Sequence, residues 1–173
     1  MTPLSIPDPA LFPVDAFAAA FATAMSGSTA ATALQYSVSE GYRPLRDWIA
    51  RRMADLGIPC DAENILITSG SQQGLDYLGK LMISPGDTVM VTWPTYLGAL
   101  GAFNAYEPRY VRLDPMANTS PEAVKAEAAA AGSTVKFAYL TADFSNPTGE
   151  TIPVAARHAL LDLQAAVGPP HHH

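Results

Sequence analysis

The spacing of apolar positions divides this chain into a helical first part and an alternating second part. Residues 14–25, "VDAFAAAFATAM", set Phe17 and Phe21 one turn apart in an alanine-rich background, which predicts a helix. Residues 26–42 hold no sustained period and read as a loop. Residues 43–57 carry Leu45, Trp48, Ile49, Met53 and Leu56 at helical spacing, with Pro44 suited to the first turn and Gly57 to the C-terminal cap. Three strand–turn–helix units follow. The first runs from 64–70 into 71–83, the second from 87–94 into 95–106, and the third from 134–141 through a turn into 153–166. Between the second and third lie a short strand, 108–114, and a helix, 120–132. Ser120 is that helix's expected N-cap, Pro121 opens it, Glu122 lies in its first turn and Gly132 follows its end.

Strands alternating with helices at this spacing predict an α/β fold, a mostly parallel sheet flanked by helices. The expected division is an extended arm, short helix and loop over 1–42, an α/β domain over 43–166, and a tail over 167–173. Pro3, Pro7, Pro9 and Pro13 each remove a backbone donor from the arm. The closing "GPPHHH" reads as an appended tail whose histidines would bind metal as any His run does.

Composition narrows the function classes. At 49% hydrophobic residues the chain is neither disordered nor short of core, and its net charge of -6 gives nucleic acid no basic patch to grip. No window is apolar for the length of a membrane span, and the start lacks the pattern of a signal peptide. A single cysteine, Cys60, excludes an internal disulfide and fits a reducing cytoplasm; nothing near it lowers a thiol pKa.

In open parallel sheets ligands bind beyond the carboxyl ends of the strands, so the residues there carry the chemistry. After the first predicted strand stand Ser69, Gly70, Ser71 and Gln72. A helix N-terminus with small hydroxyl residues suits a phosphate, although these residues taken alone read first as a capped helix after a tight turn. After the second come Trp93, Pro94, Thr95 and Tyr96, aromatics able to stack on a planar ligand or to pack on the sheet. After the third come Asn146, Pro147, Thr148 and Gly149, a plain turn or a rigid loop presenting an amide. Asp143 beside it is a candidate base or metal ligand, or an acceptor within the turn; His158 reads as a partly buried helix residue.

The segments "ALQYSVSEGYRPLRDWIARRM", "ILITSGSQQGLDYLGKLMISPGDTVMV", "PTYLGAL" and "DFSNPTGETI" together resemble the fold type I, class I/II aminotransferases that use pyridoxal phosphate. The resemblance covers about residue 30 to Leu163. It is closest to the branch of 2-aminoadipate and valine-type aminotransferases and MocR-type regulators. It implies an incomplete large domain, a partial three-layer sandwich. It further implies that Gly70, Ser71 and Gln72 hold the cofactor phosphate, that Tyr96 stacks on the pyridine ring, and that Asn146 bonds the ring's phenolic oxygen. Tyr36 would reach the phosphate of a neighbouring subunit. Ser145, Ala142 and Gly74 depart from the usual Gln, Pro and Ala of that branch, which bears on substrate more than on cofactor.

The resemblance also implies a lysine, an aspartate and an arginine downstream of "NPTG". Here the lysines are Lys80, Lys125 and Lys136, none at the family position. The expectation is therefore a partial cofactor site with no catalytic residue and no metal of its own, weak or absent pyridoxal phosphate binding, and no transamination by the chain alone. Bare sheet edges would favour a homodimer. Two other classes stay open: a repurposed hydrolase, of esterase or phosphoesterase type, and a non-catalytic dimerising or small-molecule-sensing module.

Overall fold

The computed structural model describes residues 8–28, 30–117 and 120–167. They divide into two compact units, one ending at Ser69 and one starting at Gly70. The tail beyond Val167 and much of the Pro-rich arm lie outside the described residues. At the arm's described end, Pro9–Leu11 form one 3-10 turn, capped by the Asp8 side chain, which accepts from the Ala10 amide at 3.0 Å.

The first unit contains α1 (Val14–Ser26), α2 (Ala30–Ala33) and α3 (Arg43–Asp55). The one-turn α2 falls inside the stretch read as loop. Its residues, Ala-Ala-Thr-Ala, carry helix propensity without any apolar period to announce it. At the end of α3, Gly57 takes φ 79° and its amide donates to Ala54, while Ile58 donates to Met53. That paired closure needs a left-handed residue, which is why a glycine stands there. Arg46 is buried on α3 because its guanidinium donates to the carbonyls of Gly41 at 3.2 Å and Ala62 at 2.9 Å.

Residues 64–70 do not form the strand that their apolar run predicts. A strand persists only beside a partner that closes its ladder. Here the Ile67 amide donates to the Glu40 carbonyl of the preceding turn at 3.0 Å. Gly41 is packed so tightly there that a Cβ would stand 2.5 Å from the Ile67 side chain.

The second unit runs α4 (Ser71–Met82), β1 (Thr88–Thr92), α5 (Leu97–Asn104), β2 (Arg109–Leu113), α6 (Pro121–Ala130), β3 (Val135–Tyr139) and α7 (Val154–Val167). The strands form one parallel sheet in the order β2-β1-β3. Thr88 pairs with Arg109 and Val135, and the register against β3 shifts by a residue before Val89 meets Phe137. The central strand, Thr-Val-Met-Val-Thr, is apolar on both faces because helices cover both. Val89 and Val91 point into a core with Ile83, Ala99, Ala102 and Phe103 from the α4–α5 side. Met90 points into the other, with Val124, Ala128, Leu163 and Val167 from α6 and α7. Burying each such valine or methionine contributes about 1.5–3 kcal/mol. The result is the expected three-layer α/β sandwich.

The caps of α6 agree with the sequence. The Ser120 hydroxyl accepts from the Ala123 amide at 3.4 Å and donates to Glu122 at 2.8 Å, and Gly132 at φ 68° closes the other end. That hydroxyl, with the helix's own backbone, holds the Glu122 carboxyl below its ordinary pKa.

Candidate functional site

The carboxyl ends of the three strands open onto a cleft of about 500 Å³. Its lining includes Thr92 and Trp93 after β1, Asp114 after β2, and Thr141, Ser145 and Thr148 after β3. Trp93 lines it and is 63% exposed, so it is not consumed by packing.

Beside the β1 end, two segments distant in sequence are tied together. Gly70 is the N-cap of α4 at φ 105°, a left-handed conformation that a side chain would strain although nothing crowds the position. The first turn of α4 holds no carboxylate, so no acidic side chain of that turn offsets the positive end of its helix dipole. Ser71 and Gln72 follow, both exposed. The Gln72 side-chain nitrogen donates to the Gly98 carbonyl on α5 at 2.8 Å. Tyr96, the N-cap of α5, folds back so that a Cβ on Gly98 would collide with its phenol ring. The same ring packs against the Val89–Phe103 core. Tyr96 is thus half-buried and anchored by packing on the sheet side, the second of the two uses that its sequence position left open.

Farther down, α4 and α5 are fastened a second time. The Tyr106 hydroxyl donates to Asp76 at 2.8 Å, and its ring lies against Gly79, where a Cβ would stand 2.8 Å from it. The bond to Asp76, aided by burial, holds the Tyr106 phenol above its ordinary pKa of 10.0. Both fastenings require glycine on one partner, and together they fix where the N-terminus of α4 points.

After β3 the chain makes a loop, residues 142–152. The Ile152 amide donates to the Ala142 carbonyl at 2.8 Å, the Ser145 amide to Glu150 at 2.8 Å, and the Gly149 amide to Ser145 at 2.5 Å. Asn146 stands within this loop, half-buried, with no side-chain hydrogen bond to the other described residues. Its neighbours Ser145 and Thr148 line the cleft. Asp143 is an acceptor in the turn: Arg157 on α7 donates to both its oxygens, at 2.5 and 3.2 Å.

The structure therefore brings Gln72 and Tyr96 together through Gly98, with Gly70 and Ser71 at the head of the same helix. Asn146 is on the loop after β3. Tyr36 belongs to the first unit, where its side chain is 98% exposed. His158 is exposed on α7 rather than partly buried, because the helix turns its Leu160 and Leu163 to the core instead. Two contributors escaped the sequence reading. Gly98 follows Tyr96 by two residues, and Arg157 is the lone guanidinium of α7. Only their partners, far away in sequence, reveal what they do.

Among the described residues no three His, Cys, Asp or Glu side chains gather in a way that could hold a metal ion. No helix among them is long and apolar enough to cross a membrane.

Comparison with known proteins bears on this geometry. The sequence model described as Aminotransferase class I and II matches residues 1–168. The chain is 37% identical over 158 residues to the 2-aminoadipate transaminase of Thermus thermophilus, covering 91% of this chain and 38% of that protein. It is 33% identical over 134 residues to YjiR of Escherichia coli, an uncharacterized HTH-type transcriptional regulator, covering 76% of this chain and 28% of that one. A solved structure of a Pyrococcus horikoshii kynurenine aminotransferase, in complex with PMP, superposes with a TM-score of 0.80 at 37% identity, covering 94% of this chain and 41% of that one. LysN of Thermus thermophilus, complexed with N-(5'-phosphopyridoxyl)-L-leucine, superposes with a TM-score of 0.73 at 36% identity. The chain spans about two fifths of the length of the enzymes it matches.

Proposed function

This chain belongs to the class I and II aminotransferases, and from that premise we propose that its second unit supplies the wall of a pyridoxal 5′-phosphate site. In this reading the head of α4, with Gly70, Ser71 and Gln72, binds the phosphate. Helix-end amides and the positive end of a helix dipole favour an anion, and the first turn places no carboxylate against it. Tyr96 offers its ring to the pyridine, and the Asn146 amide donates to the phenolic oxygen. Tyr36 reaches the phosphate held by a second copy, which makes the working form a homodimer. The cofactor, when bound, supplies an electron-withdrawing ring that accepts an amino group. The chain's own part is to grip, orient and shield that ring.

The observation that carries this reading is the Gln72 bond to the Gly98 carbonyl beneath the Tyr96 ring. It joins a helix head suited to an anion to an aromatic at the end of β1, in one rigid piece. That is the pairing a flat, phosphate-bearing ligand requires.

Binding without covalent anchoring is the chain's proposed limit. Lys80 lies in the last turn of α4, at the opposite end from Gly70, and Lys125 is exposed on α6. Lys136 is the second residue of β3, near the amino end of the sheet, 3.4 Å from Asp87. None faces the carboxyl-end cleft. The 173-residue chain by itself then binds the cofactor weakly and does not transaminate, and its setting is the cytoplasm. The similarity to YjiR favours one second reading, in which the same wall binds a small molecule as a sensing module.

Titration with pyridoxine 5′-phosphate, which has no aldehyde to react with surface lysines, tests the wall directly. Saturable quenching of tryptophan fluorescence that free pyridoxine does not reproduce is the expected result. Equal responses to the two compounds would overturn the phosphate assignment, and keto-acid formation from an amino acid by the isolated chain would overturn the limit.

A further inference from the structure

We propose that Arg157 is a positioning residue, a clamp across the mouth of loop 142–152 that sets where Asn146 stands. The inference rests on the cofactor-wall reading for its purpose, but its geometry is independent of that reading.

One guanidinium makes four hydrogen bonds at the base of this loop. Its Nε donates to the Ile152 carbonyl at 2.7 Å, where the loop leaves. Its Nη2 donates to the Ala142 carbonyl at 3.3 Å, where the loop enters, and to Asp143 Oδ1 at 2.5 Å. Its Nη1 donates to Asp143 Oδ2 at 3.2 Å. Only a planar fork with several fixed donors can hold a carboxylate end-on through both Nη atoms and reach two carbonyls at once; an ammonium is a point charge.

Two further observations say that the loop requires holding. Phe144, next to the clamped Asp143, takes φ 51° although it is not glycine, and its side chain is 82% exposed. No burial of its own compensates that conformation, so neighbours must enforce it. Arg157 also lies in the first turn of α7, where a cation opposes the helix dipole. Helix stability alone would not select it there. The loop bonds do, and Asn146 lies two residues beyond the strained Phe144.

The test measures amide hydrogen exchange and pyridoxine 5′-phosphate affinity in the 173-residue chain carrying Arg157→Gln, Arg157→Lys or Asp143→Asn. Arg157→Gln is expected to speed exchange at Ser145, Gly149 and Ile152 by about tenfold, to leave the β1 amides unchanged, and to weaken binding by about tenfold. Arg157→Lys should fail to rescue either, and Asp143→Asn should show the same pattern to a smaller extent. Unchanged loop exchange would overturn the clamp. A loosened loop with unchanged affinity would overturn its role in placing Asn146. Loosening of β1 together with the loop in both the Gln and Asn variants would mark general stabilisation and also overturn it. If the unsubstituted chain does not bind the probe, the cofactor-wall reading falls, and loop exchange alone still decides whether Arg157 is the clamp.

Discussion

Where α4 meets α5, Tyr96 occupies the space that a side chain on Gly98 would take, and Gln72 holds the carbonyl of that glycine. After β3, loop 142–152 is held at its base by hydrogen bonds to the single guanidinium of Arg157. The first arrangement depends on shape: missing Cβ atoms let aromatic rings and helices approach. The second depends on charge and donor geometry at a half-exposed position. A surface that must present a flat ring can be fixed by packing, whereas an amide on a loop needs polar bonds to the backbone. The two sides should therefore fail under different perturbations.

The largest effect is expected beneath both. Phe103 is buried and meets Phe137 and Tyr139 edge-to-face, with ring centroids 5.3 and 5.8 Å apart. Phe103→Ala should cost about 3–5 kcal/mol in urea unfolding and loosen both sides together. If only one side loosened, the two would not share this support. Next, Gly98→Ala forces the Tyr96 ring to move and should cost about 1–3 kcal/mol, seen in urea unfolding, with the near-ultraviolet tyrosine dichroism changed. Loop 142–152 should keep its exchange rates, and a change there would break the comparison.

Alkali should act on the packed side alone. Because the folded-state pKa of Tyr106 is raised above 10.0, its stabilising bond to Asp76 is complete below about pH 10 and is lost as pH rises through the folded value. Unfolding midpoints between neutral and strongly alkaline pH should fall less steeply in Tyr106→Phe than in the parent. The smallest effect is expected from salt on the loop. The Arg157–Asp143 pair is half-exposed and contributes at most about 1 kcal/mol in itself. Raising salt from about 0.1 to about 1 M shortens the screening length from roughly 10 to roughly 3 Å. Exchange of the loop amides should quicken, and that of α5 should not.

Much of this arrangement could be read from local pattern. The Val-Met-Val run of β1, the Ser120 cap and the Gly57 and Gly132 closures are each set by residues within a few positions of one another. So are the segments after β1 and β3, because chain order in a parallel sheet dictates which turns share an edge. Residues 64–70 could not be read this way, since a strand is defined by a partner and not by its own apolar run. Gly98 and Arg157 were illegible for the same reason. A Gln 26 residues before Gly98, and carbonyls 5 and 15 residues before Arg157, give them their roles. Asn146 was legible as a turn residue, but what holds its loop was not.

The most direct measurement is the affinity of the chain for pyridoxine 5′-phosphate against pyridoxine, repeated with Gly98→Ala. The cofactor wall predicts saturable binding that requires the phosphate and weakens when the Tyr96 ring is displaced. Binding that ignores the phosphate, or that is unaffected by Gly98→Ala, would contradict it.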